Sequence, residues 1–197
     1  RRQRQMCIRD SYNYGDKEVI EYYTKLIKSV PDAKIILYNF EKLCGYKFSV
    51  DCVENLAARF PKNIIGVKDS SYNLMGNLNI KNFSILPGSE LKLLSGLKKD
   101  CSGIITATCN VTAKLARKVF DDFEQNKEQT VNDKLCEVRK TFDQFNLISG
   151  LHSFLSLTDK QFLNILPTCS LLSKQDEKTL IDKLKDLDFL GKDFKAA

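Results

Sequence analysis

Short apolar runs of strand length alternate with stretches of helical periodicity along most of this chain, and that alternation limits the fold more than any other feature. From Asp16, read as an N-cap, Val19, Ile20, Tyr23, Ile27 and Val30 fall on one helical face until Pro31 and Asp32 end the pattern. KIILYN at residues 34 to 39 is then a nearly continuous apolar run, as expected of a parallel strand covered on both faces. Ser49 caps a second helix running to about Phe60, closed by Pro61. The cycle repeats in NIIGVK (63 to 68) with a weak helix over 71 to 79, in FSILPG (83 to 88) with a helix from Ser89 to about Lys98, and in SGIITAT (102 to 108) with a helix from Thr112 to about Asn126. Strands and helices that alternate in this way build right-handed β-α-β units around a parallel sheet.

After the fourth unit the strands stop. Residues 127 to 148, 150 to 165 and 174 to 190 read as amphipathic helices, with a break at Leu166-Pro167. The expected fold class is therefore α/β, four β/α units over residues 12 to 126 followed by a helical block over 127 to 197. Four parallel strands form either a small open sheet or half of an eight-stranded barrel, and periodicity does not choose between them.

Of the net charge of +6 over 197 residues, the segment of residues 1 to 11 holds Arg1, Arg2, Arg4 and Arg9 against Asp10, which is 4 − 1 = +3. The remainder is an interleaved, solvated surface without a basic stripe, which argues against a nucleic-acid partner. RRQRQMCIRDS has neither periodicity nor caps; it resembles translated sequencing-adapter read-through and is set aside from the fold as a non-native or disordered leader. No apolar run reaches the roughly 18 residues that span a bilayer, so no membrane partner and a cytoplasmic location are expected. Cys7, Cys44, Cys52, Cys101, Cys109, Cys136 and Cys169 are scattered and odd in number, with one histidine, His152, beside them. That pattern fits reduced, mostly buried thiols and gives neither a disulfide framework nor a metal site. His152 lies in a helical stretch away from the strand ends and is read as structural.

In parallel α/β folds the reactive side chains gather at the C-terminal strand ends. The four ends here are Tyr38-Asn39, Lys68-Asp69-Ser70-Ser71, Gly88-Ser89-Glu90 and Thr106 to Asn110. Lys68 follows apolar residues and glycine; held near a dry interior, its amine would be freed as a nucleophile, because desolvation disfavours the ammonium. The alternative is a lysine reaching from a strand end into solvent. Tyr38 ends the neighbouring strand, about 4.8 Å away in a sheet, where its phenol either shuttles a proton for Lys68 or packs at the mouth. Gly88 would let backbone approach a bound carboxylate closely.

Taken in order, YNFEKLCG (38 to 45), GVKDSS (66 to 71), LPGSE (86 to 90) and GIITATCNV (103 to 111) resemble successive signatures of the dihydrodipicolinate synthase and N-acetylneuraminate lyase family. The likeness covers nearly everything after residue 11, and GVKDSS is its most specific part. The resemblance implies a (β/α)8 TIM barrel in which Lys68 forms an imine with pyruvate or another 2-oxo acid, with Tyr38 as proton shuttle. Gly88, Glu90, Ile105, Thr106 and Leu43 would line the substrate pocket. Tyr12 stands near the place of a tyrosine that many members lend to a neighbouring subunit. No cofactor or metal is implied, and a homotetramer is.

Departures from the family bear on the substrate. Glu41 and Leu43 replace the proline and arginine of the synthase branch's Tyr-Asn-x-Pro-x-Arg-Thr-Gly, and a leucine cannot grip a second substrate's carboxylate. Asp69-Ser70 stands where the neuraminate lyase branch carries an aromatic residue and threonine. An aldolase for a 2-keto-3-deoxy sugar acid reconciles both; synthase or dehydratase chemistry on the same scaffold and a non-catalytic binding homologue are the competing readings. The family's first four strands, with the loop that binds the 2-oxo acid carboxylate, have no counterpart here, so this exact chain is expected to be inactive or poorly folded.

Overall fold

A computed structural model describes residues 14 to 190, so Tyr12 and the arginine-rich leader lie outside the described residues. The chain divides into two compact units, one formed by residues up to Gly88 together with Gly96–Ile104, the other by Ser89–Ser95 and the residues from Ile105 onward. The division falls near residues 88 to 105.

The first unit carries α1 (Asp16–Ser29), β1 (Ile35–Asn39), the short α2 (Glu41–Cys44), α3 (Val50–Arg59), β2 (Ile64–Asp69) and β3 (Ser84–Pro87). The strands are parallel in the order β1-β2-β3. In α3, Cys52, Val53, Leu56 and Ala57 recur at helical spacing and are buried, and they join Leu37, Val67 and Leu74 in one core cluster. Ser49 caps α3 as expected, its Oγ accepting from Cys52 N–H at 2.9 Å. Asp16 does not cap α1. Gly15 takes that place, with Glu18 accepting from its N–H at 2.9 Å, while the Asp16 carboxylate accepts from Tyr46 Oη at 2.7 Å and from Ser49 Oγ.

Two expected elements are replaced. No helix forms over 71 to 79; the turns that stand there are pinned by side chains described below. The fourth expected strand, residues 102 to 108, is not a strand among the described residues. Ser102 N–H meets Ile85 C=O at 3.0 Å, one bond of parallel pairing with β3, but Gly103 then turns to φ +136° and the ladder goes no further. Among the described residues the sheet therefore has three strands, not four. Helix α2 was not foreseen. It ends on Gly45 at φ 65°, the left-handed conformation in which glycine has no side-chain penalty.

In the second unit, α5 (Cys109–Glu124), α6 (Asn132–Phe142), α7 (Leu147–Leu155) and α8 (Lys174–Asp186) follow the single turn Glu90–Lys92; α4 (Leu93–Leu97) leads out of that turn and ends in residues of the first unit, Gly96 and Leu97. The helix expected over 150 to 165 starts earlier, where Asn146 caps Ser149 N–H at 3.1 Å, and it stops at Leu155, leaving one separate turn at Lys160–Leu163. The helix expected over 127 to 148 shortens to α6. Phe142, Phe154 and Phe189 are fully buried together with Leu135, Leu180 and Leu184. Phe142 meets Phe154 edge-on at 5.6 Å, a favoured aromatic geometry.

Candidate functional site

The β1 and β2 ends bring Tyr38 and Lys68 together, because parallel register makes them direct partners, as it does Asn39 and Asp69. Alternation along each strand then sorts the four. Asn39 and Asp69 point into the core and are fully buried, whereas Tyr38 is 38% exposed on the other face and Lys68 is half-buried there. Lys68 Nζ stands over the face of the Tyr38 ring, 4.2 Å from its centroid. The contact is with the ring and not with the phenol hydroxyl.

Beneath this pair lies a polar network that the sequence reading missed. Asp69 accepts from Asn39 Nδ2 at 2.8 Å and from the backbone N–H groups of Tyr72, Leu74 and Met75 at 2.9, 2.9 and 3.0 Å. Asn39 donates as well to Asn73 Oδ1 at 2.8 Å and accepts from Phe48 N–H at 3.0 Å. A buried carboxylate is tolerated when its lone pairs are filled in this way. The turns after β2 thus spend their N–H groups on Asp69, which is why residues 71 to 79 do not wind into a helix. The available signal was that two consecutive parallel strands end in a polar residue one position past Tyr38 and Lys68.

Gly88 sits where nothing larger fits. A Cβ there would fall 2.2 Å from Ser70 Oγ, and Gly88 N–H already donates to Asp69 C=O at 3.2 Å. The close approach that this glycine permits is to Ser70. Leu43, on α2, is 60% exposed.

The second unit holds Glu90, Ile105 and Thr106. Glu90 is fully buried and accepts from Thr106 and Thr108 Oγ1 at 3.1 and 2.9 Å, from Thr112 Oγ1 at 2.9 Å and from Arg139 Nη1 at 3.1 Å. Arg139 Nη1 also reaches Thr106 and Thr108 Oγ1 at 2.7 and 2.9 Å, and its Nε meets both Asp143 oxygens at 2.9 Å. Glu90 therefore has its acceptor sites filled by this chain, and it reads as a structural anchor more than as a substrate ligand. Arg139 lies 49 residues away, and no local pattern marks it. Burial, and after it the Glu90 charge, pushes the Cys109 thiol up to about 11, so it is not a nucleophile near neutral pH. Ile105 is 39% exposed.

His152 Nδ1–H donates to Phe162 C=O at 2.9 Å, and the ring packs edge-on against the Phe162 ring. It lines a cleft of about 220 Å³ with Asn110, Ile148 and Leu155. No three His, Cys, Asp or Glu side chains among the described residues come together as a metal cage. No helix among them is long and apolar enough to cross a membrane.

The profile of the "Dihydrodipicolinate synthetase family" matches residues 11–186. An uncharacterized DapA-like lyase of Chloroflexus aurantiacus is 27% identical over 71% of this chain and 49% of its own length. The 4-hydroxy-tetrahydrodipicolinate synthase of Acaryochloris marina is 27% identical over 62% of this chain and 43% of its own. In fold, the chain is similar to the solved structure of YagE, a prophage protein of E. coli K12 in complex with pyruvate. The TM-score is 0.74 at 19% identity, over 91% of this chain and 64% of that one. Such neighbours place the chain in the α/β TIM-barrel class, while it spans about half the length of the curated relatives it matches.

Proposed function

Since the chain belongs to the dihydrodipicolinate synthetase family, we propose that the whole protein is a Schiff-base lyase or aldolase that makes or breaks a carbon–carbon bond in a 2-oxo acid. Lys68 is the imine-forming amine. The observation that carries this reading is the placement of Lys68 Nζ against Tyr38 at the C-terminal end of a parallel sheet, on the face opposite a fully packed polar network. Among the described residues no carboxylate pairs with that nitrogen, so it is available for attack. Its neutral form adds to the ketone; once water leaves, the protonated imine draws electrons from the adjacent carbon and stabilises the carbanion of bond cleavage or condensation. Tyr38 Oη, which makes no hydrogen bond among the described residues, is the group to carry the proton. The working form is a homotetramer.

The substrate is a 2-keto-3-deoxy sugar acid, for which the exposed Leu43 argues, because an aliphatic side chain makes no charged contact to a second carboxylate. The second reading is 4-hydroxy-tetrahydrodipicolinate synthase, favoured by the name of the Acaryochloris marina relative. Borohydride reduction of the full-length protein with pyruvate, followed by peptide mass spectrometry, tests the amine. A carboxyethyl adduct on Lys68 is expected, and a folded protein without one is a binding homologue. Pyruvate release from a panel of 2-keto-3-deoxy sugar acids, set beside condensation with aspartate semialdehyde, separates the two substrates.

A further inference from the structure

Building on the imine-forming reading of Lys68, we propose that the aromatic face of Tyr38 is the binding site for the positive charge on the Lys68 nitrogen, carried first as ammonium and then as protonated imine. This role is separate from that of the phenol hydroxyl. The nitrogen stands 4.2 Å from the ring centroid, well within the roughly 6 Å over which the negative face of an aromatic ring attracts a cation. The backbone enforces the contact, since Tyr38 and Lys68 are register partners on neighbouring parallel strands. Across the sheet the register partner of Lys68 is Leu86, which offers the charge nothing. The Tyr38 ring is itself backed by Phe40, with centroids 6.0 Å apart. Among the described residues neither an ion pair nor a hydrogen bond reaches Lys68 Nζ, which leaves the ring face as its electrostatic partner.

Imine formation begins and ends with a cation at this nitrogen. Ammonium and ketone give protonated imine and water: the nitrogen sheds one proton, adds to the carbonyl carbon, and the carbonyl oxygen departs as water after taking up two protons. One of these comes from the nitrogen after addition and the other replaces the proton first shed, so the charge is conserved. A compact ammonium with three N–H donors is well served by water. The imine spreads its charge and keeps one N–H, so a fixed π face is worth more to it than to the resting lysine.

The test removes charge from the ring face without changing its shape. In the whole protein, Tyr38→Phe is followed by 4-fluoro- and 3,4,5-trifluorophenylalanine at the same position. Two quantities are read for each protein: the pyruvate concentration at which half of Lys68 is trapped by borohydride, and the rate at which trinitrobenzenesulfonate labels Lys68 at fixed pH without pyruvate. We expect the half-trapping concentration to rise roughly threefold to tenfold along the series, with labelling faster in the same order. Trapping that stays flat across the series overturns the proposal and leaves the lyase reading standing. If no protein, the unaltered one included, forms an adduct, the lyase reading fails and takes the imine half with it; ordered labelling would then support the ammonium half alone.

Discussion

Glu90 and Asp69 show how much a single buried carboxylate can organise. Each is fully buried, and each has its oxygens filled by donors from its own unit, Glu90 by three threonine hydroxyls and Arg139, Asp69 by three backbone N–H groups and Asn39. Removing one partner of a buried pair leaves the other charged and poorly solvated. Glu90→Gln should therefore lower stability by about 3 kcal/mol, toward the lower end for a broken buried pair because Asp143 still serves Arg139; urea unfolding measures it. Asp69→Asn turns an amide N–H toward two of the four donors and should cost about 2 kcal/mol, with faster proteolysis after β2 as a second sign. Thiols carry a pH dependence. Burial, then Asp69, holds Cys101 at about 11, as burial and Glu90 do Cys109, against an ordinary value of 9. Between pH 9 and 11 the native state keeps protons that the unfolded chain has lost. Stability must fall as pH rises through that window and be indifferent to these thiols below it. A urea midpoint unchanged between pH 8 and pH 10.5 would contradict this.

At the level of elements, what could be read from the sequence is what depends on local chemistry. The helices α1, α3, α5 and α8 and all three strands were expected near their observed bounds, because each pairs a periodic apolar stripe or run with a cap or a breaker. The same stripe makes α3 testable: Leu56 is fully buried, and Leu56→Ala should cost about 2 to 5 kcal/mol, measured by thermal or urea unfolding. What could not be read depends on partners distant in sequence. Residues 71 to 79 look helical until Asp69 takes their N–H groups, and residues 102 to 108 look like a strand until the left-handed Gly103 stops the pairing. The site was legible in the same proportion. Tyr38 and Lys68 follow from strand ends and register, but Arg139, 49 residues from Glu90, does not. Gly88 was foreseen as a close approach whose partner, Ser70, was not. Gly88→Ala should destabilise by about 1 to 3 kcal/mol through the clash with Ser70, and Ser70→Gly in the same chain should recover most of the loss.

For the molecule as a whole, the exposed face of the sheet is the dominant physical fact. Ile36 is 43% and Tyr38 38% exposed on one face of β1, and among the described residues β1 is an edge strand in the three-stranded order. An apolar face beside an unpaired edge is prone to association. The 197-residue chain studied alone should elute above the 22.5 kDa of its monomer, and Ile36→Lys should raise the monomeric fraction in light scattering. A monodisperse monomer before substitution would count against this.

The division of the chain has a practical corollary. Because residues 89–95 go with the second unit and 96–104 return to the first, the polypeptide passes between the two three times within some seventeen positions. A gene cut at any single codon cannot release either half with all its native residues. Split-protein reporters, fusions and shuffled chimaeras built on this sequence would have to carry the whole stretch from Gly88 to Ile105 in one piece or interrupt both halves at once.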